Sequence, residues 1–181
     1  MADRNTSSPM ETEEMSGAWR ELPWRKLEKH VYRIQKRIYR ASQRGNYRKV
    51  EVLQKLLLKS EAARLLAVRR VTQDNQGKKT AGVDGVKTVP PKERFLMVRQ
   101  LHPKRWKTRK KPQPVRRVWI PKPGKAEKRP LGIPTVMERA KQALVKIALE
   151  PAWEAVFEPN VRTVQPKLAS TARGWPARCE P

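Results

Sequence analysis

The segment from Trp24 to Arg44 constrains the fold more than any other part of the chain. Trp24, Leu27, Val31, Ile34 and Ile38 recur at alternating spacings of three and four, which marks one face of an amphipathic helix. At ~1.5 Å per residue such a helix is about 30 Å long, and Gly45-Asn46 supplies its stop and a turn. The other face carries Arg25, Lys26, Lys29, Arg33, Lys36, Arg37, Arg40 and Arg44 against one acid, Glu28. Solvated helices usually mix signs to gain i,i+4 pairs, and this one largely forgoes them. So one-sided a charge asks for an anionic partner; the alternatives are a solvated face that touches nothing, or a helix lying on an anionic membrane. Tyr32 and Tyr39 fit packing, a membrane interface or contacts to bases equally well.

A second helix is expected from about Tyr47 to Val71, with Val50, Leu53, Leu57 and Ser60 on one stripe and Val52, Leu56, Ala63 and Leu66 beside it. The short connection favours an antiparallel hairpin with the first helix. The following TQDNQGKKTAGVDGV reads as an ordered loop, in which Asp84 is expected to hold the loop through an Asx-type hydrogen bond. A short helix is expected over Lys92–Leu101, with Phe95, Leu96 and Val98 or Met97 inward.

From His102 to Pro130 there are twelve Lys or Arg residues and one acid, and the run HPKRWKTRKKPQPVRR within it is expected to be extended or flexible when free. Trp106, set among cations, either stacks on an unpaired base or anchors the segment to the core. Within Arg116 to Pro134, the runs Val118-Trp119-Ile120 and Leu131-Gly132-Ile133 flank a Pro-Gly turn, the pattern of a β-hairpin. Its Arg116, Arg117, Lys122, Lys125, Lys128 and Arg129 suit a triphosphate or a nucleic-acid backbone, or else simply keep an edge strand soluble. Thr135 to Glu138 forms a capping box for a helix through Ala140, Leu144, Ile147 and Ala148. Pro151 marks a break, with a short helix, Ala152 to Phe157, expected beyond it and Trp153 and Phe157 packed inward.

The net charge of +25 over 181 residues, with a pI near 11.0, makes nucleic acid the first candidate partner. No apolar run reaches the length of a membrane span, and the acidic start MADRNTSSPMETEEM lacks the form of a secretion signal. The single cysteine, Cys179, allows neither an internal disulfide nor a cysteine-based metal site. Polymerisation needs at least two metal-binding carboxylates, whereas the only aspartates are Asp3, Asp74 and Asp84, and no Tyr-x-Asp-Asp motif occurs. The chain alone is therefore expected to lack polymerase activity.

IPKPG, KRPLGIPTVMERAKQALVKIALEP and FEPN, with Thr72, Asn75, Gly77, Thr80, Gly82, Val83, Asp84 and Gly85 upstream, resemble the amino-terminal part of group II intron-encoded reverse transcriptases. The resemblance spans roughly Trp19 to Asn160 and covers the amino-terminal extension and the first fingers motif, ahead of the catalytic palm. It implies a mainly α fold with a small antiparallel β-hairpin. The expected organisation is a disordered lead (1–18), an extension with a helical hairpin and loop (19–89), a partial fingers region (90–160) and a divergent, disordered tail (161–181).

For function, the resemblance implies that Lys122 and Arg129 hold an incoming triphosphate, with Lys128 the alternative to Arg129. It places intron RNA or template-primer against Arg25, Lys29, Arg33, Lys36, Arg37, Arg40 and Arg44 and against Asn75, Lys78, Lys79 and Thr80; the charge of Arg116 and Arg117 and the setting of Trp106 make those three further RNA-binding candidates. Family members use Mg2+ through palm residues, so no cofactor is expected in this chain. The expected setting is cytoplasmic, within a bacterium or organelle and bound to nucleic acid rather than membrane. Other readings are the fingers half of a split polymerase, completed by a separately encoded palm, and a non-functional truncated gene product.

Overall fold

The computed structural model describes residues 14, 17–75, 80–108, 114–124 and 126–157. They form a helical body with one antiparallel β-hairpin, the mainly α architecture the sequence implies. Helix α1, Trp24–Gln43, buries Val31, Ile34 and Ile38, with Trp24 and Leu27 half-buried at its start. Its end is a Schellman motif: Gly45, at φ +65°, donates its N–H to the Ser42 carbonyl and Asn46 donates to that of Ala41, both at 2.9 Å. The Asn46 side chain then accepts the Lys49 N–H at 3.0 Å and caps α2, Tyr47–Lys59. One short turn thus closes α1 and opens α2, which packs back against it.

The expected continuous second helix is interrupted. Ser60 takes an extended conformation (φ −64°, ψ 129°), followed by α3, Glu61–Arg69, and a π-helical turn, Arg70–Asp74, that takes up the start of the expected loop. Serine is a weak helix-interior residue and a good start residue, and the break lets two differently facing apolar sets both reach the core. Val50, Leu53 and Leu57 of α2 are buried, as are Ala62, Ala63, Leu65, Ala67 and Val68 around most of α3. The Val52 and Leu56 side of α2 faces solvent despite its apolar stripe, the two being 61% and 48% exposed.

Trp19, 1% exposed, meets Phe95 edge-on and Trp24 at a tilt, with ring centroids 5.1 and 5.3 Å away. Phe95 lies on α4, Pro91–Gln100, which opens on a proline at its first position. Met97 and Val98 are buried there, whereas Leu96 points outward, contrary to expectation. The first part of the run expected to be extended is helical, Pro103–Thr108 forming a 3₁₀ helix; residues 109–113 lie outside the described residues, and Arg116-Arg117 are in an extended strand.

The largest correction concerns α5, Val136–Glu154, which runs through Pro151 without breaking. An interior proline leaves the carbonyl four residues earlier, that of Ile147, without its helical donor. The Gln35 side chain of α1 donates to that carbonyl at 2.9 Å, and Ser42 Oγ donates to the Ala152 carbonyl, also at 2.9 Å. Two residues seven apart on α1 therefore satisfy the last turns of α5, and the Pro151 ring is buried beneath them. With the helix continuing, Trp153 and Phe157 do not pack inward; they stack on each other, centroids 6.3 Å apart, at 58% and 42% exposure. Leu144, by contrast, is fully buried.

Candidate nucleic-acid interface

Successive residues of an α-helix are rotated by about 100°, so the eight cations from Arg25 to Arg44 fall within roughly 120° of the α1 circumference. All eight are exposed, and among the described residues none is paired with a carboxylate. The one acid of the helix, Glu28, is drawn away to Arg69, 3.5 Å distant. Arg69 lies over the Trp24 ring at 4.6 Å and 3.7 Å from Asp74, so these charges bind α1 to the end of α3 rather than neutralising the stripe. Opposite the stripe, the apolar residues together with Gln35 and Ser42 grip α5. The basic face is thus presented on a helix fixed from behind.

The second group of cations lies on the hairpin. Strand β1, Arg116–Pro121, pairs with β2, Lys128–Ile133, in a register that sets Val118 opposite Leu131, Trp119 opposite Pro130 and Ile120 opposite Arg129. Facing residues share a side and side chains alternate along a strand. Arg129 therefore shares a face with the half-buried Val118 and Ile120, and Lys122, whose N–H continues the ladder to the Glu127 carbonyl at 3.1 Å, falls on that face too. Lys128 pairs with Pro121 on the opposite face, which separates it from Lys122. The two residues expected to act together are thus brought to one side of the hairpin, and the alternative to Arg129 is not. Lys122 Nζ contacts Glu127 at 2.7 Å across the turn, where Gly124 has φ +70°. That pair is solvent-exposed, so breaking it costs only about 0–1 kcal/mol.

The root of the hairpin is held by the glycine-rich segment before it. A Cβ on Gly82 would lie 2.7 Å from the Pro134 carbonyl oxygen, so only glycine permits this approach. Asp84 does not close its own loop as expected; its carboxylate accepts the Val136 N–H at 3.3 Å and caps α5 beside Thr135, which accepts from Glu138. Arg139 donates to the Thr80 carbonyl at 2.9 Å, and Arg116 to that of Ala81 at 3.4 Å. Gly82 stands in the sequence only as part of a motif and Arg139 only within a matched segment; neither contact can be read there, because the partners lie more than fifty residues away.

Of the remaining candidates, Thr80 and Asn75 are exposed on either side of Lys78 and Lys79, which lie outside the described residues. Trp106 is half-buried against the core, its indole N–H enclosed without an acceptor among the described residues, which is the arrangement of an anchor. Two further arginines are structural: Arg64 donates to the Val98 carbonyl at 2.7 Å and Arg94 to that of Val89 at 2.9 Å, and burial lowers the pKa of each. Among the described residues no three His, Cys, Asp or Glu side chains group so as to hold a metal. No helix among them is long and apolar enough to cross a membrane.

Residues 19–101 match the family model described as the N-terminal domain of reverse transcriptase. Over 138 residues, 75% of the chain, the sequence is 37% identical to Maturase-like protein 1 of Euglena gracilis, of which it spans 29%. It is 37% identical to Protein YkfC of Escherichia coli (strain K12) over 94 residues, 51% of this chain and 24% of that protein. The identity is 51% over 47 residues, 26% of this chain, with Group II intron-encoded protein LtrA of Lactococcus lactis subsp. cremoris, where the match covers 8% of the relative. The chain thus spans less than a third of each of these relatives, and it belongs, as an amino-terminal portion, to the group II intron-encoded reverse transcriptase and maturase family.

Proposed function

We propose that this chain is an RNA-gripping module that holds group II intron RNA or a template-primer through the basic face of α1, with the hairpin as a second contact. The observation that carries the reading is the stripe itself: eight exposed cations within about a third of a helix circumference, on a helix whose other face is locked to α5. A rigid array of point charges and guanidinium forks suits the phosphates of a folded RNA, recognised by shape. Purified chain would be titrated with its neighbouring intron RNA and with a scrambled RNA of equal length, at two salt concentrations. The expected result is tighter binding of the intron RNA, with log K falling against log salt by about 0.7–0.9 per neutralised phosphate. Equal affinity for the two RNAs removes the maturase-like reading, and a flat salt dependence removes the phosphate grip.

The shared face of Lys122 and Arg129 favours a second reading, in which the hairpin binds a nucleoside triphosphate for a palm on another polypeptide. Asp74 and Asp84 are engaged with Arg69 and with the start of α5, so in that reading the metal-binding carboxylates come from the palm. Primer extension on mixing with a palm-bearing chain, lost in Lys122→Gln and Arg129→Gln, is the expected outcome. No extension with any such chain rejects it.

A further inference from the structure

The register leaves the face of the hairpin turned away from Lys122 and Arg129 outside the triphosphate reading, and of its residues only Arg117 is among the RNA-binding candidates above. The register places Arg117, Trp119 and Pro121 of β1 on it with Lys128 and Pro130 of β2. Trp119 is 56% exposed beside the exposed Pro130, so the indole presents a flat apolar surface to solvent. A cation stands on either side, Arg117 two residues along its own strand and Lys128 diagonally across the ladder, about 7 Å away in each case. This face carries no carboxylate; the single acid of the hairpin, Glu127, is paired with Lys122 at the turn. At the root Val115, half exposed, packs over Gly132, whose added Cβ would meet it at 3.1 Å, and so extends the apolar surface beyond Arg117.

An exposed indole between two cations, on a hairpin face that carries no carboxylate among the described residues, fits a ligand that is flat and apolar in one part and anionic in the next. We propose that this outer face binds single-stranded nucleic acid, with one unpaired base stacked on Trp119 and the flanking phosphates held by Arg117 and Lys128. A duplex hides its base faces within its own stack, so Trp119 selects single strands, whereas the α1 stripe needs only phosphates. The assignment rests on the RNA-binding reading and adds a second site of different selectivity to it.

The test uses the whole chain with two fluorescein-labelled probes, a twelve-residue oligouridylate and a twelve-pair RNA duplex, at one salt concentration. Trp119→Ala is expected to weaken the oligouridylate by roughly 5- to 100-fold and leave the duplex unchanged. Trp119→Phe, which keeps a stacking ring, restores most of the affinity, and Lys128→Gln reduces the single-strand salt slope by about 0.7. Unchanged oligouridylate binding in Trp119→Ala, equal loss on both probes, or a loss in Trp119→Phe as large as in Trp119→Ala overturns the proposal. Dissociation of an oligomer by Trp119→Ala, with oligouridylate affinity intact, also overturns it and assigns the face to a second copy of the chain. The α1 variant Arg33→Gln/Arg37→Gln/Arg40→Gln separates the two readings. If it weakens the duplex while Trp119→Ala spares the oligouridylate, only the outer-face site falls; if the unaltered chain binds neither probe, the RNA-gripping reading falls as well.

Discussion

Replacing Gln35 by leucine tests how α5 tolerates a proline in its interior. The substitution keeps most of the side-chain volume but removes the donor that reaches the Ile147 carbonyl at 2.9 Å. Ile147 is 7% exposed and Pro151 has no N–H to offer it, so the carbonyl is left unsatisfied in a nearly dry setting. Such a loss costs about 1–3 kcal/mol. For a chain of this size each kcal/mol is worth about 2–4 °C, so a cost of ~2 kcal/mol lowers the melting temperature by about 4–8 °C. Urea titration followed by circular dichroism gives the free energy directly. The decisive comparison is a double-mutant cycle with Pro151→Ala, which supplies a backbone N–H to the same carbonyl. In that background Gln35→Leu is expected to cost less than ~1 kcal/mol, because the helix then satisfies itself. If Gln35→Leu costs the same in both backgrounds to within about 0.5 kcal/mol, the latch is not what holds the proline in the helix, and the reasoning fails.

Gly82→Ala forces a Cβ to within 2.7 Å of the Pro134 carbonyl oxygen and is expected to destabilise by about 1–3 kcal/mol, measured by the same titration. Neutralising Arg33, Arg37 and Arg40 together to Gln should leave stability intact or slightly raised while reducing the RNA salt slope by about 2–3, read from binding at several salt concentrations. Because like charges crowd α1, raising salt from 50 to 300 mM should increase the melting temperature of the free protein while weakening its RNA complex, two effects of opposite sign in one buffer series. The pKa of His102 lies below its ordinary 6.5, through desolvation first and then the nearby positive charges of Arg64, Lys104, Lys59 and Arg105. The folded state thus binds that proton less readily than the unfolded chain, so stability is full above about pH 6.5 and declines as pH falls toward the folded pKa. His102→Gln, which cannot gain this charge, should show a flatter melting profile over that range.

Periodicity was enough to show α1 in the sequence: its apolar face, its basic face and its glycine stop all follow from local rules, and so does the hairpin turn at Gly124. What periodicity cannot show is whether a face is covered. Trp153 and Phe157 carry the spacing of core residues yet stack in solvent, because no described element packs over the outer side of α5 at its end. The break at Ser60 had a local signal, a serine followed by an acid at a helix start, which the longer apolar pattern outweighed. Gln35 and Ser42 look like polar interruptions near an apolar stripe; the clue to Gln35 lies far away, in a proline four residues after Ile147 inside a strongly apolar run. The candidate interface divides in the same way. The α1 stripe could be read directly, the pairing of Lys122 with Arg129 needed the strand register, and the clamp by Gly82, Asp84 and Arg139 depends on partners more than fifty residues distant.

The two faces of α1 also bear on how this sequence can change over generations. Because the cations of the stripe have no carboxylate partners among the described residues, replacing any of them with a neutral residue relieves repulsion and leaves the packing untouched. The fold therefore offers no resistance to losing them, and random substitution would bleach the stripe unless something outside the chain selects for it. Gln35 is in the contrary position, since its loss is costly for as long as Pro151 withholds the helical donor from Ile147, so that drift at Gln35 is held back by a residue on another helix.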